Sequence, residues 1–421
     1  MPLFSTVLAI TIGSHYLFDF WLDRRQTRYV RAHQDSVPAP FTNAVALADH
    51  RKAAAYTVAR KRLDIWSDLT NLLLLIGLIF GGGFAFLQAA ISSFAGTGYI
   101  GSVALTIALA AVMAAISMPF AYYRTFAIEA HFGFNRTTRT LFATDFVKSC
   151  LLGIAFLTPL VLGIDFAMRE LGSNWWVLAW VLWVAFNLLA MLIVPTFIMP
   201  LFNRFESLAD GDLKTRIEAL MARCGFKSRG VFKMDGSKRS SHGNAFFTGL
   251  GSSKRIVIFD TLIEKLSNDE IEAVLAHELG HFKRRHILKR MIISFAVSFL
   301  VFGGLGFVSR QAWFYEGFGV DSSIAIASPF VAFLLFALAF PSFSYWFKFA
   351  SNYMSRLHEF EADSYAASHA RSTDLASALV KLHRDNAATL TPDPLYTLVN
   401  YSHPTAEQRI ARLVPVVGQT V

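Results

Sequence analysis

Two histidines four residues apart, with a glutamate beside the first, carry the chemistry most easily read from this chain of 421 residues. They lie in His277-Glu278-Leu279-Gly280-His281. On a helix, positions i and i+4 share one face, so both imidazoles can reach a single ion. Zinc takes such nitrogen donors in tetrahedral geometry, and a catalytic site adds one more protein ligand while leaving a position open. Glu278 then stands beside the metal without ligating it, placed to take a proton from an attacking water. The implied chemistry is metal-assisted hydrolysis. The motif alone fixes only three letters in five, so an exposed helix with two histidines is an equal reading of it.

The surrounding residues favour the metal. Ser267-Asn268-Asp269-Glu270 reads as a capping box with acids in the first turn, which predicts a helix over 267–286. Ile271, Val274 and Leu275 continue with helical spacing, and Arg255-Ile256-Val257-Ile258-Phe259-Asp260 ahead of them reads as a strand. A second helix holds Arg356-Leu357-His358-Glu359-Phe360-Glu361-Ala362-Asp363. At 3.6 residues per turn Glu359 and Asp363 share a face, whereas Glu361 points about 160° away. Glu359 is therefore the expected third ligand. Asp363 is placed to accept a hydrogen bond from the far nitrogen of a ligating histidine, or to assist proton transfer. Glu361 is expected to be solvated or structural, and His358 a bystander.

The chain that must position these groups is suited to lipid. Charged residues make up 16% and hydrophobic ones 54%, with a mean hydropathy of +0.43; a soluble domain carries about 25% charged residues. Seven segments have the apolar length of a spanning helix, at 3–22, 69–91, 101–123, 147–167, 175–199, 287–308 and 324–347. The first lacks a basic leader and a cleavage site and is read as a retained span, not a signal peptide. The expected fold is an all-α multi-pass membrane protein with seven transmembrane helices and a cytosolic catalytic segment holding a small β element. Its parts are five spans over 1–199, the HELGH segment over 200–286, two spans over 287–347, and the segment with the third ligand over 348–421.

Loop charge sets the orientation. Residues 200–286 hold fifteen Lys and Arg and the tail after 347 holds seven, while the loops at 92–100, 168–174 and 309–323 hold none, Arg169 and Arg310. By the positive-inside rule the long loop and the tail are cytosolic. The net charge of +9 follows this topology, so nucleic acid is not an expected partner. Cys150 and Cys224 are too few and too far apart for a disulfide framework or a thiolate metal site.

HELGH followed after two spans by Glu359-Phe360-Glu361-Ala362-Asp363 resembles the integral-membrane zinc endopeptidases of the CAAX prenyl protease (a-factor-converting) type. The stretch from Met234 to Gly249, Glu129-Ala130-His131-Phe132-Gly133-Phe134-Asn135, Pro200-Leu201-Phe202-Asn203, and Ser402-His403-Pro404-Thr405 with Arg409 are similar to that family's motifs. The resemblance implies a zincin-like site facing a large chamber within a seven-helix bundle, one Zn²⁺ per chain, and cleavage of the terminal tripeptide from a prenylated CAAX sequence. It implies that Asn244, Ala245 and Phe246 belong to an edge strand pairing with substrate. It also implies that His403 stabilises the oxyanion and that Arg409, grouped with the substrate-side residues, orients the acidic ligand. Read from the residues alone, Ser402-His403-Pro404 is an ordinary turn before a helix.

The expected partners are a peptide or lipidated protein and membrane lipid. The tail Gly418-Gln419-Thr420-Val421 lacks a dilysine-like retrieval signal, which favours a bacterial plasma membrane over the endoplasmic reticulum of a eukaryote. The competing readings are a broad membrane quality-control protease and a transporter or scaffold with an inactive metal site.

Overall fold

The computed structural model describes residues 3–226, 228–248 and 254–414. Gly249 and the tail residues Gly418, Gln419, Thr420 and Val421 lie outside them. Long apolar helices run through Leu3–Ala32 (α1), Leu47–Ile79 (α2), Gly83–Ala95 (α3), Tyr99–Tyr123 (α4), Arg139–Glu170 (α5) and Trp175–Ile193 (α6). After the water-side helix Asp212–Arg223 (α7) come Asn268–Lys283 (α8), His286–Val308 (α9), Phe330–Ser344 (α10) and Lys348–His369 (α11). Three shorter helices close the chain: Ser372–Asp385 (α12), Pro394–Asn400 (α13) and Ala406–Leu413 (α14). Among the described residues, six helical paths are long and apolar enough to cross a membrane, and α2 with α3 makes a seventh when counted as one bent span.

Three expectations change in detail. The span expected over 69–91 is broken, with α2 and α3 meeting at 63°. Gly82 sits there at φ +72°, a left-handed conformation that glycine adopts without steric cost, and the helix cannot continue through it. The helix expected over 267–286 ends at Lys283, because Arg285 turns left-handed at φ 57° and His286 opens the next helix. At the boundary drawn between 347 and 348 the backbone stays helical. Tyr345–Phe347 forms a short turn of 3₁₀ helix, and one helical path of 40 residues runs from Phe330 to His369. Hydropathy falls there because the side chains leave lipid, while the backbone hydrogen bonding goes on.

Two large apolar cores stand out among the described residues. One joins the spanning helices through Leu8, Ile12, Ile79, Phe84, Ile164, Ala179, Leu305 and Leu335. The other joins Ile217 and Leu220 of α7, Ile271, Leu275 and Leu279 of α8, Ala366 of α11, and Leu375 and Leu379 of α12 with a small sheet. That sheet has four strands, Phe205–Ser207 (β1), Val231–Met234 (β2), Ala245–Thr248 (β3) and Arg255–Phe259 (β4), in the order β1-β2-β4-β3. β2 and β4 are parallel, while β3 runs antiparallel to β4 along one edge.

The stretches around 129–137 and 234–242 brace this sheet to the membrane helices. Ser241 N–H donates to the Phe134 carbonyl at 3.1 Å, and Arg136 N–H to the Arg239 carbonyl at 3.1 Å. Glu129 accepts from the Tyr56 hydroxyl at 2.5 Å. Asn203 Nδ2 donates to Asp235 Oδ1 at 2.9 Å, tying the entry to β1 to the turn after β2.

The helices that matter most, α8 and α11, touch at Gly280. A Cβ built there meets Ala362 Cα at 2.9 Å and the Ala362 carbonyl oxygen at 3.0 Å, both backbone atoms that cannot step aside. Gly280→Ala should therefore force the two helices apart, at a cost of about 1–3 kcal/mol as for other overpacked contacts. A lower thermal midpoint together with weaker zinc retention is the expected result, measured by unfolding and metal analysis on the purified protein.

Candidate functional site

The Ser267 hydroxyl accepts from Glu270 N–H at 3.3 Å while the Glu270 carboxylate accepts from Ser267 N–H at 2.8 Å, closing the capping box at the start of α8. Glu270 also accepts from Ser377 Oγ at 2.6 Å and Lys381 Nζ at 2.8 Å, so the same residue pins α12 against α8. From this anchored start, His277 and His281 emerge on the face that looks at α11.

The structure brings His277, His281 and Glu359 together. Their Nε2 atoms lie 3.2 Å apart. Glu359 Oε2 is 3.4 Å from His277 Nε2, and Oε1 is 3.3 Å from His281 Nε2. Donors of a tetrahedral zinc, at bond lengths of about 2.0–2.1 Å, stand roughly 3.3 Å from one another. The observed spacing fits that set. Glu359 Oε2 is buried and, among the described residues, has no hydrogen-bond partner, as expected of an atom reserved for a cation. Two imidazoles and a carboxylate are also a donor set suited to zinc chemically.

Behind His277, Asp363 Oδ1 lies 2.8 Å from Nδ1. Asp363 in turn accepts two hydrogen bonds from Arg409, Nε to Oδ2 at 2.9 Å and Nη2 to Oδ1 at 2.6 Å. With Nδ1–H donating to Asp363, His277 turns its Nε2 lone pair towards His281 and Glu359. Arg409 thus braces the ligands, with Nε and Nη2 bonded to Asp363 and Nη1 3.9 Å from Glu359, and it also borders the cavity beside them. α14 presents it, and a second capping box at Thr405 and Gln408 starts that helix.

A cavity of about 360 Å³ opens over these atoms, lined among others by Asn244, Ala245, Glu278, Arg290 and His403. Glu278 is partly buried in its wall. Burial pushes its carboxyl up from the usual range, and His277 and His281 beside it pull it part of the way back. His403 is exposed to this space, with Nε2 3.4 Å from Glu359 Oε1 and Nδ1 3.0 Å from the Ser402 hydroxyl. Asn244 immediately precedes β3, and its carbonyl accepts from Phe259 N–H at 3.0 Å. By antiparallel alternation the backbone groups of Asn244 and Phe246 then face β4, and those of Ala245 and Phe247 face the free edge. Phe246 itself packs towards Phe259, with ring centroids 6.2 Å apart, and does not line the cavity.

Two contacts escaped the sequence reading. His281 Nδ1 lies 3.0 Å from His286 Nδ1, and His286 Nε2 lies 3.0 Å from Glu361 Oε2. His358 stacks on His286 at 4.1 Å between centroids. His286 could have been noticed as a third histidine five residues after His281, but only the left-handed turn at Arg285 brings it back.

Two family models match, "CAAX prenyl protease N-terminal, five membrane helices" over residues 26–204 and "Peptidase family M48" over 207–416. The chain belongs to peptidase family M48. It is 39% identical to "CAAX prenyl protease 1" of Saccharomyces cerevisiae over 319 residues, 72% of this chain and 70% of the yeast protein. It is 32% identical to "CAAX prenyl protease 1 homolog" of Arabidopsis thaliana over 418 residues, 97% of each. Its fold superposes on the crystal structure of S. mikatae Ste24p with a TM-score of 0.92 at 32% identity, covering 98% of this chain and 99% of that one.

The M48 chain described here is a multi-pass integral membrane zinc metallopeptidase. These relatives are eukaryotic and give a bacterial plasma membrane no support. Two ionisable residues near span ends have local partners. Lys148 Nζ donates to the Leu201 carbonyl at 2.9 Å, and Asp165 pairs with Arg169 at 2.9 Å.

Arg409 and Asp363 are both buried, so removing one strands the charge of the other. Arg409→Met should destabilise the protein by about 3–5 kcal/mol, the range for half of a buried ion pair. Chemical unfolding at constant zinc would show it as a lower midpoint.

Proposed function

We propose that this chain is an endopeptidase that cuts the terminal tripeptide from prenylated CAAX-type proteins, with His277, His281 and Glu359 as zinc ligands and Glu278 as general base. The observation that carries the reading is the close grouping of two histidine nitrogens and the Glu359 carboxylate beside Glu278, in a cavity whose wall includes a free strand edge. The substrate class is supported by the names of the yeast and plant relatives and by the N-terminal family model.

An extended peptide lies along β3, where the outward carbonyls of Ala245 and Phe247 and the amide of Phe247 offer it a strand to join; the Ala245 amide donates to Asn244 Oδ1 at 2.9 Å. When bound, zinc polarises the scissile carbonyl and lowers the pKa of the attacking water. Glu278 takes the proton of that water and passes it to the leaving amine nitrogen. His403 donates to the carbonyl oxygen as negative charge grows on it. Asp363 and Arg409 hold His277 and Glu359 in place while this happens. No covalent intermediate is required. The excess of Lys and Arg in 200–286 and in the tail supports placing this site on the cytosolic face.

Glu278→Gln should keep zinc bound while turnover falls by about 10²–10⁴, the usual range for a positioned acid–base group. Retained turnover would sink the base assignment. His281→Ala should lose the metal itself. His403→Ala should keep the metal and cost about 10²–10³ in kcat, as for an oxyanion donor. The assay is release of the tripeptide from a farnesylated CAAX peptide, set beside the unprenylated peptide. Equal cleavage of the two would overturn the substrate class without touching the metal site.

A further inference from the structure

We infer that His286 and Glu361 form a positioning relay that fixes the tautomer and aim of His281, so that both ligand histidines are backed by a carboxylate, one directly and one through a second imidazole. The inference rests on the ligand set proposed above. It begins at Arg285, whose left-handed turn ends α8 and folds the first residue of α9 back beneath His281. There the two Nδ1 atoms are 3.0 Å apart, and the other nitrogen of His286 is 3.0 Å from Glu361 Oε2.

The donors and acceptors leave no free choice. A carboxylate only accepts, so the hydrogen on His286 sits on Nε2, and a neutral ring then presents a bare Nδ1. That lone pair must receive a hydrogen from His281 Nδ1. His281 is left with its lone pair on Nε2, the atom that faces His277 and Glu359. The opposite tautomer would point an N–H at the ligand site and bind no cation.

The relay is also held in orientation. His286 is fully buried, and the His358 ring lies over it at 4.1 Å with an interplanar angle of 11°. His358 and Glu361 are three residues apart on α11, so one face of that helix supplies both the stack and the acceptor. The opposite side of the same helix supplies Glu359 and Asp363. α11 therefore addresses the two histidines of α8 from two sides. Partners of this kind are worth about 10–100-fold in metal affinity.

Zinc affinity of the full-length protein, measured by chelator competition beside thermal unfolding of the metal-free form, tests the relay. The Glu361 side chain is 47% exposed, so its truncation leaves no internal hole. Glu361→Ala should weaken zinc binding about 10–100-fold with an unchanged metal-free midpoint. Glu361→Gln keeps an acceptor oxygen and should recover part of the loss. His286→Phe preserves the stack on His358 but breaks the relay, and should weaken zinc at least as much as Glu361→Ala. In the cobalt-substituted protein the visible bands should shift in Glu361→Ala and stay near their original position in Glu361→Gln. A Glu361→Ala dissociation constant within about twofold of the unaltered protein would overturn the inference, whatever His286→Phe does to folding. His281→Ala separates the two levels. If it kept zinc, the ligand set would fail; if it lost zinc while Glu361→Ala did not, the relay alone would fail.

Discussion

α8 and α11 cross with Gly280 against the backbone of Ala362, and the geometry of the site follows from that contact. One residue before the crossing, α8 carries Leu279 into the apolar core; one residue after it comes His281. On the other helix Glu359 and Asp363 flank Ala362. A separation set by a missing Cβ lets the two histidine nitrogens lie 3.2 Å apart, each within 3.3–3.4 Å of one Glu359 carboxylate oxygen. The rest of the fold keeps the crossing rigid: Glu270 and Lys381 lock α12 on one side, and Arg409 on α14 closes the other.

The arrangement gathers more charge than a buried site tolerates unless each charge is answered. Glu359 and Asp363 are almost fully buried, and two carboxylates so placed repel each other. Arg409 answers Asp363 with two hydrogen bonds, leaving Glu359 as the carboxylate with spare acceptor capacity. A cation between the histidines completes the balance. Metal affinity and local stability therefore rest on the same groups, and zinc binding to the folded chain alone should add to its stability.

Much of the site was legible because it obeys helical periodicity. The i, i+4 spacing of His277 and His281, the capping box at Ser267, and the shared face of Glu359 and Asp363 all follow from 3.6 residues per turn. Glu361 was set aside by the same rule, which compares residues only along one helix. It cannot foresee a side chain from another helix arriving on the opposite face, as His286 does. The broken second span was missed for a related reason. Hydropathy averaged over 69–91 stays high through Gly81-Gly82-Gly83, although three successive glycines already mark a place where a helix can stop. The edge strand holding Ala245 and Phe246, with Asn244 just before it, was reached through family resemblance and not through local pattern, since a four-residue strand carries little periodic signal.

The continuity of α10 with α11 bears on how a lipidated chain meets the metal. Glu359 lies eleven residues beyond the start of α11, about 17 Å along a helix at 1.5 Å per residue. The apolar segment Phe330–Ser344 ends before that start. The third ligand therefore stands clear of the lipid-facing stretch yet in register with it, because no flexible linker intervenes. On the function proposed here, the bond cut directly follows the prenylated cysteine, so no run of peptide separates the lipid anchor from the scissile carbonyl. The distance from the apolar stretch to Glu359 is then one for the isoprenoid chain itself to cover, and the unbroken helical path from span to ligand fixes it.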